Sequence, residues 1–380
     1  MHTYSRIPIV IEKGVGSRIW DRDGKCYLDF LSGIGVMILG YSHPYILKAV
    51  TEQAKNLIHC SNLYYIYPQA KLAEKLCELS FADKVFFSNS GAEANEAAVK
   101  LARKFGAPRG AYEIVAMENS FHGRTLATLG LTGQAKYRKD FGPFPGGLKF
   151  APFNDLEGVK KVISSKTCAV IVEPIQGEGG INVASSDFLE GLANFCKKEG
   201  ILLILDEIQC GLGRTGKLFT YQHYQIEPDI MTLAKPLGGG LPIGATLAKK
   251  EVASAFKPGS HASTFGGNPL VCAAGLAFLK ALEEGKLVEK AREKGEYFQA
   301  RLQDFKKNFS FIQEIKGKGL MLGIKLNVEE GKKIVKECRE RGLLINLTAG
   351  EVLRFLPPLV VENADIDEAL NILENVFKNL

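Results

Sequence analysis

Four short apolar runs recur through the middle of the chain, at residues 113–117, 168–172, 201–205 and 230–233, with helical or mixed segments between them. A strand with no polar alternate has to bury both of its faces. Strands of that kind alternating with helices build a largely parallel sheet covered by helices on both sides. The pattern therefore predicts an α/β fold with a mostly parallel central sheet.

At 380 residues the chain exceeds the roughly 250–300 that one core holds before chains divide. The wording of the sequence changes at both ends. The first fifty residues read as turns and short strands, and Asp23-Gly24 between alternating apolar residues marks a hairpin. From Pro68 the spacing is helical to residue 79, and residues 92–104 form a second amphipathic helix. Residues 268–309 read as helix. Beyond them come strands in K-G-L-M-L-G-I-K-L, L-L-I-N-L and V-L-R-F-L-P-P and a last helix from Asp365. We expect a large domain over residues 51–267 and a smaller α+β domain over 268–380, joined by residues 1–50.

Composition narrows the class. A net charge of +6 with no long Lys/Arg run excludes a nucleic-acid arm, and no apolar stretch reaches the roughly 18 residues of a membrane span. The N-terminus shows no apolar signal region, and the eight cysteines form no C-x-x-C pair. Reduced thiols in a cytoplasmic protein are expected. The six histidines share no metal-ligand spacing, so no metal is expected.

One motif competes. Gly211 to Lys217 spells G-L-G-R-T-G-K after the acidic strand I-L-L-I-L-D-E, which matches the spacing of a phosphate loop. The next residue is Leu218, so the hydroxyl that would hold Mg²⁺ is missing, and the loop follows the acidic strand instead of an early one.

Other residues suggest a different chemistry. Asp206 follows five aliphatic residues and should end a buried strand, at the sheet edge where α/β proteins bind ligands. Alone it could equally cap a turn. Lys235 follows an apolar strand and precedes three glycines; burial would free its amine for attack on a carbonyl, although a lone lysine is more often a snorkelling one. Ser90, Gly91 and Ala92 open a helix, which is an anion site as well as a simple N-cap. Thr264 offers a second phosphate donor, and Phe121 a flat surface. An aldehyde-binding lysine, an acid for a ring nitrogen, phosphate donors and a stacking ring are what pyridoxal chemistry requires.

The segments S-N-S-G-A-E-A-N-E-A-A, N-S-F-H-G-R-T, E-P-I-Q-G-E-G-G, L-D-E-I-Q-C-G-L-G-R-T-G-K, A-K-P-L-G-G-G-L-P-I-G-A and S-T-F-G-G-N-P together resemble the class III pyridoxal-phosphate aminotransferases. The resemblance runs from about residue 32 to residue 354 and implies a fold type I transferase that binds pyridoxal 5'-phosphate. It also accounts for the phosphate-loop lookalike, which is usual wording in that family. By resemblance, Lys235 is the Schiff-base lysine, Asp206 the partner of the pyridine nitrogen and Gln209 a donor to the ring's phenolic oxygen. Phe121 stacks on the ring, while Ser90, Gly91 and Ala92 hold the phosphate. Thr264 is a phosphate ligand given to the neighbouring subunit, so the resemblance implies a homodimer with shared sites. Arg124 clamps a substrate carboxylate, and Ser263 touches an acylated donor. Glu178 and Arg354 form a pair that opens to admit glutamate or 2-oxoglutarate. The compact chain favours an N-acetylated ornithine as donor over ornithine, succinyl-diaminopimelate or 4-aminobutyrate. A non-catalytic relative would have lost Lys235, Asp206 or the arginines, and all are present.

Three positions depart from the family's wording. Pro236 stands where glycine is common, and should hold Lys235 in an extended strand end. Met37 and Tyr41 stand where Asn and His are usual, near the expected substrate entrance.

Overall fold

The computed structural model describes residues Met1–Leu380. Its centre is a seven-stranded sheet in the order Lys84–Ser88, Gly244–Ala248, Ile230–Leu233, Leu202–Asp206, Thr167–Val172, Glu113–Met117, Leu148–Ala151. Neighbours from Ile230–Leu233 to Leu148–Ala151 run parallel. Gly244–Ala248 runs antiparallel to both of its neighbours. This strand was not anticipated. Its G-A-T-L-A wording has weak strand preference, and it forms because both faces are buried between partners already in place.

The apolar runs owe their continuity to two separate packings. Ile114, Ala116, Leu202, Ile204 and Ile230 pack with Ala98, Leu101 and Ala102 of the helix Gly91–Gly106. Val115, Met117, Leu203, Leu205 and Met231 belong to the other core, with Phe188, Leu189 and Leu192 of the helix Ser186–Glu199. Successive side chains in a strand point to opposite faces, so both faces are covered, and the few polar residues, such as Thr232, are buried and hydrogen-bonded.

The C-terminal part carries a four-stranded antiparallel sheet in the order Ile312–Lys318, Met321–Leu326, Val352–Phe355, Asn346–Thr348. The hairpin Arg18–Asp21/Cys26–Asp29 forms as its Asp-Gly turn requires, and Cys26–Asp29 then pairs in parallel with Leu343–Leu344. Arg18 reinforces this junction through Asp365 at 2.9 Å and Glu368 at 2.6 Å. The helix Pro269–Glu284 lies against the helices Pro44–Asn56 and Tyr67–Leu79 and against the turn Lys235–Gly238. No helix is long and apolar enough to cross a membrane.

Phe298, fully buried, meets Phe30 edge-on at 5.8 Å and Phe355 edge-on at 5.5 Å. It thereby links the N-terminal segment, the helix Leu287–Asn308 and the strand that carries Arg354. Phe298→Ala should lower unfolding stability by about 3–5 kcal/mol, because no neighbour can fill the space; the midpoint of urea unfolding measures it.

Candidate active site

The strand alternation decides where Asp206 points. It shares a face with Leu202 and Ile204, the face covered by the helix Gly91–Gly106. Asn95 of that helix donates from Nδ2 to Asp206 Oδ2 at 2.8 Å, and its own Oδ1 accepts from Thr232 Oγ1 at 2.8 Å. His122 Nδ1 lies 2.7 Å from the same Asp206 oxygen, and the Ile208 N–H donates to Oδ1 at 3.1 Å. Asp206 is 4% exposed. A buried carboxylate persists only when donors surround it, and here they come from a helix, a loop and the strand's own turn.

Lys235 lies across the same cavity, whose volume is about 470 Å³. The strand Ile230–Leu233 ends before it, and Lys235 opens a short 3₁₀ turn with φ +38°. The extended strand end expected from Pro236 does not form. Proline instead serves as an early residue of the turn, where its missing N–H is no loss and its fixed φ fits. Lys235 takes up the reversal, at a cost of about 1–2 kcal/mol for a non-glycine residue at positive φ. Burial pushes its ammonium below the ordinary value, although Glu178 and Asp206 pull the other way.

The helix start at Ser90–Ala92 lines the cavity too. Ser90 Oγ caps the helix by accepting from the Glu93 N–H at 3.2 Å, so the cap reading of Ser90 holds. Its hydroxyl proton and the first N–H groups of the helix stay free for an anion. A Cβ at Gly91 would come within 2.8 Å of Ile208 Cδ1, which also lines the cavity. Phe121 lines the wall, its N–H donating to Glu173 Oε2 at 2.9 Å. Arg124 is exposed at the rim, with its guanidinium 4.2 Å from the Tyr137 ring centre.

Glu178 sits in the turn of a small hairpin, Ile175–Gln176 with Asn182–Val183. Its Oε1 accepts from Arg354 NH1 at 2.6 Å. The same nitrogen lies 3.3 Å from the Gly177 carbonyl and 3.3 Å from Gln209 Oε1, and Arg354 Nε donates to Asn346 at 3.1 Å. A Cβ on Gly177 would fall 1.7 Å from Gln209 Oε1. Arg354 is 1% exposed. Burial raises the Glu178 carboxyl, but the Arg354 charge and hydrogen bond outweigh it and leave the group below its usual range.

Ser263 and Thr264 are not brought to Lys235 within one chain. They line a separate cleft with Asn62 and Gln69, and Ser263 Oγ accepts from Asn89 Nδ2 at 3.2 Å. Met37 approaches Gly240 at the cavity wall. Tyr41 does not line the cavity; its hydroxyl donates to the buried Asp29 at 2.6 Å. Here tyrosine serves the fold, so its departure from the usual wording concerns packing and not the entrance.

Residues 1–377 of the chain match the family model described as aminotransferase class-III. The chain belongs to the class-III aminotransferases. It is 51% identical to an acetylornithine aminotransferase of Methanocaldococcus jannaschii, over 100% of this chain and 96% of the relative. It is 50% identical to one of Caldanaerobacter subterraneus, over 100% and 97%. Among solved structures, an ornithine aminotransferase from Toxoplasma gondii is 33% identical with a TM-score of 0.95, covering 100% of this chain and 92% of that one. An acetylornithine aminotransferase from Elizabethkingia anophelis is 35% identical with a TM-score of 0.89, covering 100% and 96%.

Three cavity-side groups escaped the sequence reading. Asn95 and His122 act through Asp206, from positions 111 and 84 residues away. Glu173, 6% exposed, sits beyond the strand Thr167–Val172; burial and then the Asp206 charge push its carboxyl well above the ordinary range. An acidic residue just after the apolar run 168–172 was the available signal. The phosphate-loop lookalike is buried from Gly211 to Gly216, and Arg214 donates to the Leu320 and Pro357 carbonyls, so it ties the two parts of the chain together.

A folded pKa below the ordinary 4.5 means that Glu178 adds stability above that pH and loses it as pH falls through its lower folded value. Arg354→Met removes the cause and leaves a largely buried carboxylate unpaired. The variant should unfold about 3 kcal/mol more easily near neutral pH, and the gap should narrow on acidification from above pH 4.5, where the variant's unpaired carboxyl, raised by burial, takes up its proton, down through the wild type's lowered value. Unfolding midpoints of both proteins across acidic and neutral pH check this.

Proposed function

We propose that this class-III aminotransferase works with pyridoxal 5'-phosphate and moves the terminal amine of N2-acetyl-L-ornithine to 2-oxoglutarate. The products are N-acetyl-L-glutamate 5-semialdehyde and L-glutamate, a step of arginine biosynthesis. The observation that carries the reading is the convergence on one cavity of Lys235, Asp206 and the helix start at Ser90–Ala92. A solved Toxoplasma gondii ornithine aminotransferase, 33% identical, is described with PLP at its active site.

The residues fit that cofactor. Asp206 is a buried acceptor able to face a protonated ring nitrogen, and the helix start has free N–H groups for a phosphate. Phe121 and Ile208 supply apolar wall, and Gln209 reaches the cavity from the turn after Asp206. Bound there, the cofactor supplies an aldehyde for the amine and an electron-withdrawing ring.

The chain's own groups do the rest. Burial pushes the Lys235 ammonium below its ordinary value, which suits Nζ to take a proton from the substrate carbon as base and return it as acid. Asp206, its carboxylate fixed by Asn95 and His122, would hold the ring nitrogen's proton in place. Arg124 at the rim binds the donor's distant α-carboxylate, which puts the terminal amine toward Lys235. Glu178 covers Arg354 while the donor is bound. When 2-oxoglutarate enters, Arg354 turns from Glu178 to the acceptor's carboxylate. Ser263 and Thr264 complete the site of a second copy in a homodimer. In support, Leu63, Tyr64, Tyr65 and Tyr67 stand exposed on one segment, and the His59 ring lies tilted with its centre 5.3 Å from that of exposed Phe265, next to Thr264. A cytoplasmic location accords with a biosynthetic role and with cysteines that are all free.

Free ornithine is the second reading, because the Toxoplasma ornithine aminotransferase has the higher TM-score, 0.95 against 0.89. Backbone likeness carries less weight than the 51% identity to an acetylornithine aminotransferase, since donor choice rests on side chains. With 2-oxoglutarate as acceptor, kcat/KM should be highest for N-acetylornithine among that donor, ornithine, succinyl-diaminopimelate and 4-aminobutyrate. A higher value for ornithine would reverse the choice. Lys235→Ala should lack both turnover and the visible absorbance of the lysine-bound cofactor; retention of both would overturn the assignment.

A further inference from the structure

The Glu178–Arg354 pair has a rear support that the proposed chemistry does not use. The hairpin carrying Glu178 is held on three sides. Gln176 Nε2 donates to the Glu118 carbonyl at 2.7 Å, at the end of the central sheet. Thr348 Oγ1 donates to the Glu178 carbonyl at 2.8 Å, from the C-terminal sheet. Asn182 closes the hairpin across itself, donating to Gln176 Oε1 at 3.1 Å and to the Gly179 carbonyl at 2.9 Å. The oxygen of that Asn182 amide accepts from Lys316 Nζ, on the strand Ile312–Lys318.

Lys316 is the unusual member. It is half-buried, and acids are near enough to act on its charge: Glu314 on its own strand and Glu351 on the C-terminal sheet, with Lys325 opposing them. Glu351 is taken by Lys325 at 3.3 Å. The Lys316 ammonium instead reaches a neutral amide. An ammonium half out of water and bonded to an amide is a poor source of stability. It does fix where that amide lies, and a charged donor makes the stronger kind of hydrogen bond. Lys316, Asn182 and Gln176 also wall a polar cavity of about 560 Å³ behind the hairpin; Ile175 and Ile181 pack with Met321, Val352 and Leu356, so the network sets the position of the hairpin's polar side and not its attachment.

We infer that Lys316 and Asn182 are positioning residues that hold the Glu178 turn against Arg354 from behind. The inference rests on the Glu178–Arg354 pair acting as a cover over the arginine. With the support removed, the turn keeps its apolar packing and its bond from Thr348, but the Glu178 carboxylate is held less firmly and Arg354 stands open for more of the donor half-reaction. An uncovered guanidinium competes for the donor's carboxylate and draws the wrong end of the molecule toward Lys235. The acceptor half-reaction uses Arg354 uncovered and is spared. A general loss of fold would harm both half-reactions alike.

The test compares kcat/KM for N-acetylornithine and for 2-oxoglutarate in the two half-reactions of the cofactor-loaded enzyme, alongside melting temperature. Glu178→Ala, which opens Arg354 directly, should lower the donor value relative to the acceptor value. Lys316→Met and Asn182→Ala should shift the ratio the same way, by about fivefold to tenfold, the worth of about one hydrogen bond. Lys316→Arg, which keeps a cationic donor, should restore it. If Glu178→Ala shifts the ratio but Lys316→Met and Asn182→Ala do not, the support is refuted and the cover survives. If those two variants lower both half-reactions equally together with the melting temperature, their role is structural and the inference fails. If Glu178→Ala leaves the ratio unchanged, the cover itself is refuted and the support with it.

Discussion

The site depends on keeping one carboxylate buried and oriented at a strand end. Asp206 is reached by Asn95 from a helix, His122 from a loop and Ile208 from its own turn. Thr232 on the neighbouring strand fixes Asn95 in turn. Each donor is in place only if the parallel order of the sheet and the seating of the helix Gly91–Gly106 are right. That helix also presents its first turn to the cavity, so one packing arrangement sets both an anion site and an acid. Beside them, burial and the Asp206 charge favour the neutral form of Glu173. A buried acid pushed far from its ordinary titration range is a common mark of a working site.

The second dependence runs between the two parts of the chain. Arg354 belongs to the C-terminal sheet, while Glu178 and Gln209 belong to loops of the central one. The guanidinium is almost wholly enclosed, which makes its attraction to a carboxylate strong and its isolation costly. Arg214, equally buried, is held by carbonyls alone, whereas Arg354 has a carboxylate partner in Glu178. Lys235 shows a related economy: backbone strain at positive φ is tolerated because the buried turn around it leaves no alternative path.

The sequence made the central strands legible because a strand covered on both faces has to be apolar throughout. It hid Gly244–Ala248, whose small residues carry little preference, and Ile312–Lys318, whose Q-E-I-K-G-K wording looks like surface. In the site, groups with chemistry of their own stood out from local wording: the lysine after a strand, the acid after five aliphatics, the small residues opening a helix. Groups that act by holding others did not. Asn95 reads as one polar residue in an alanine-rich helix until the fold brings it to Asp206. The turn at Lys235 was misjudged for a similar reason. Pro236 constrains its neighbour locally, and the enclosing core overrides that preference.

The joining of the chain's two ends has a consequence for how the protein is made. Ser17 bonds to Asp365 across 348 positions, and Cys26–Asp29 pairs with Leu343–Leu344. At about 5–20 residues per second, a ribosome needs roughly 20–70 s to supply the partners of a strand it has already released. Until Leu343–Leu344 emerges the first hairpin has an unpaired edge, and until Phe298 emerges Phe30 lacks that ring to pack against, which is the condition for aggregation. The central sheet can close while synthesis continues, whereas the unit that carries Arg354 waits for the final helix. The Glu178–Arg354 pair is thus among the last contacts the nascent protein gains.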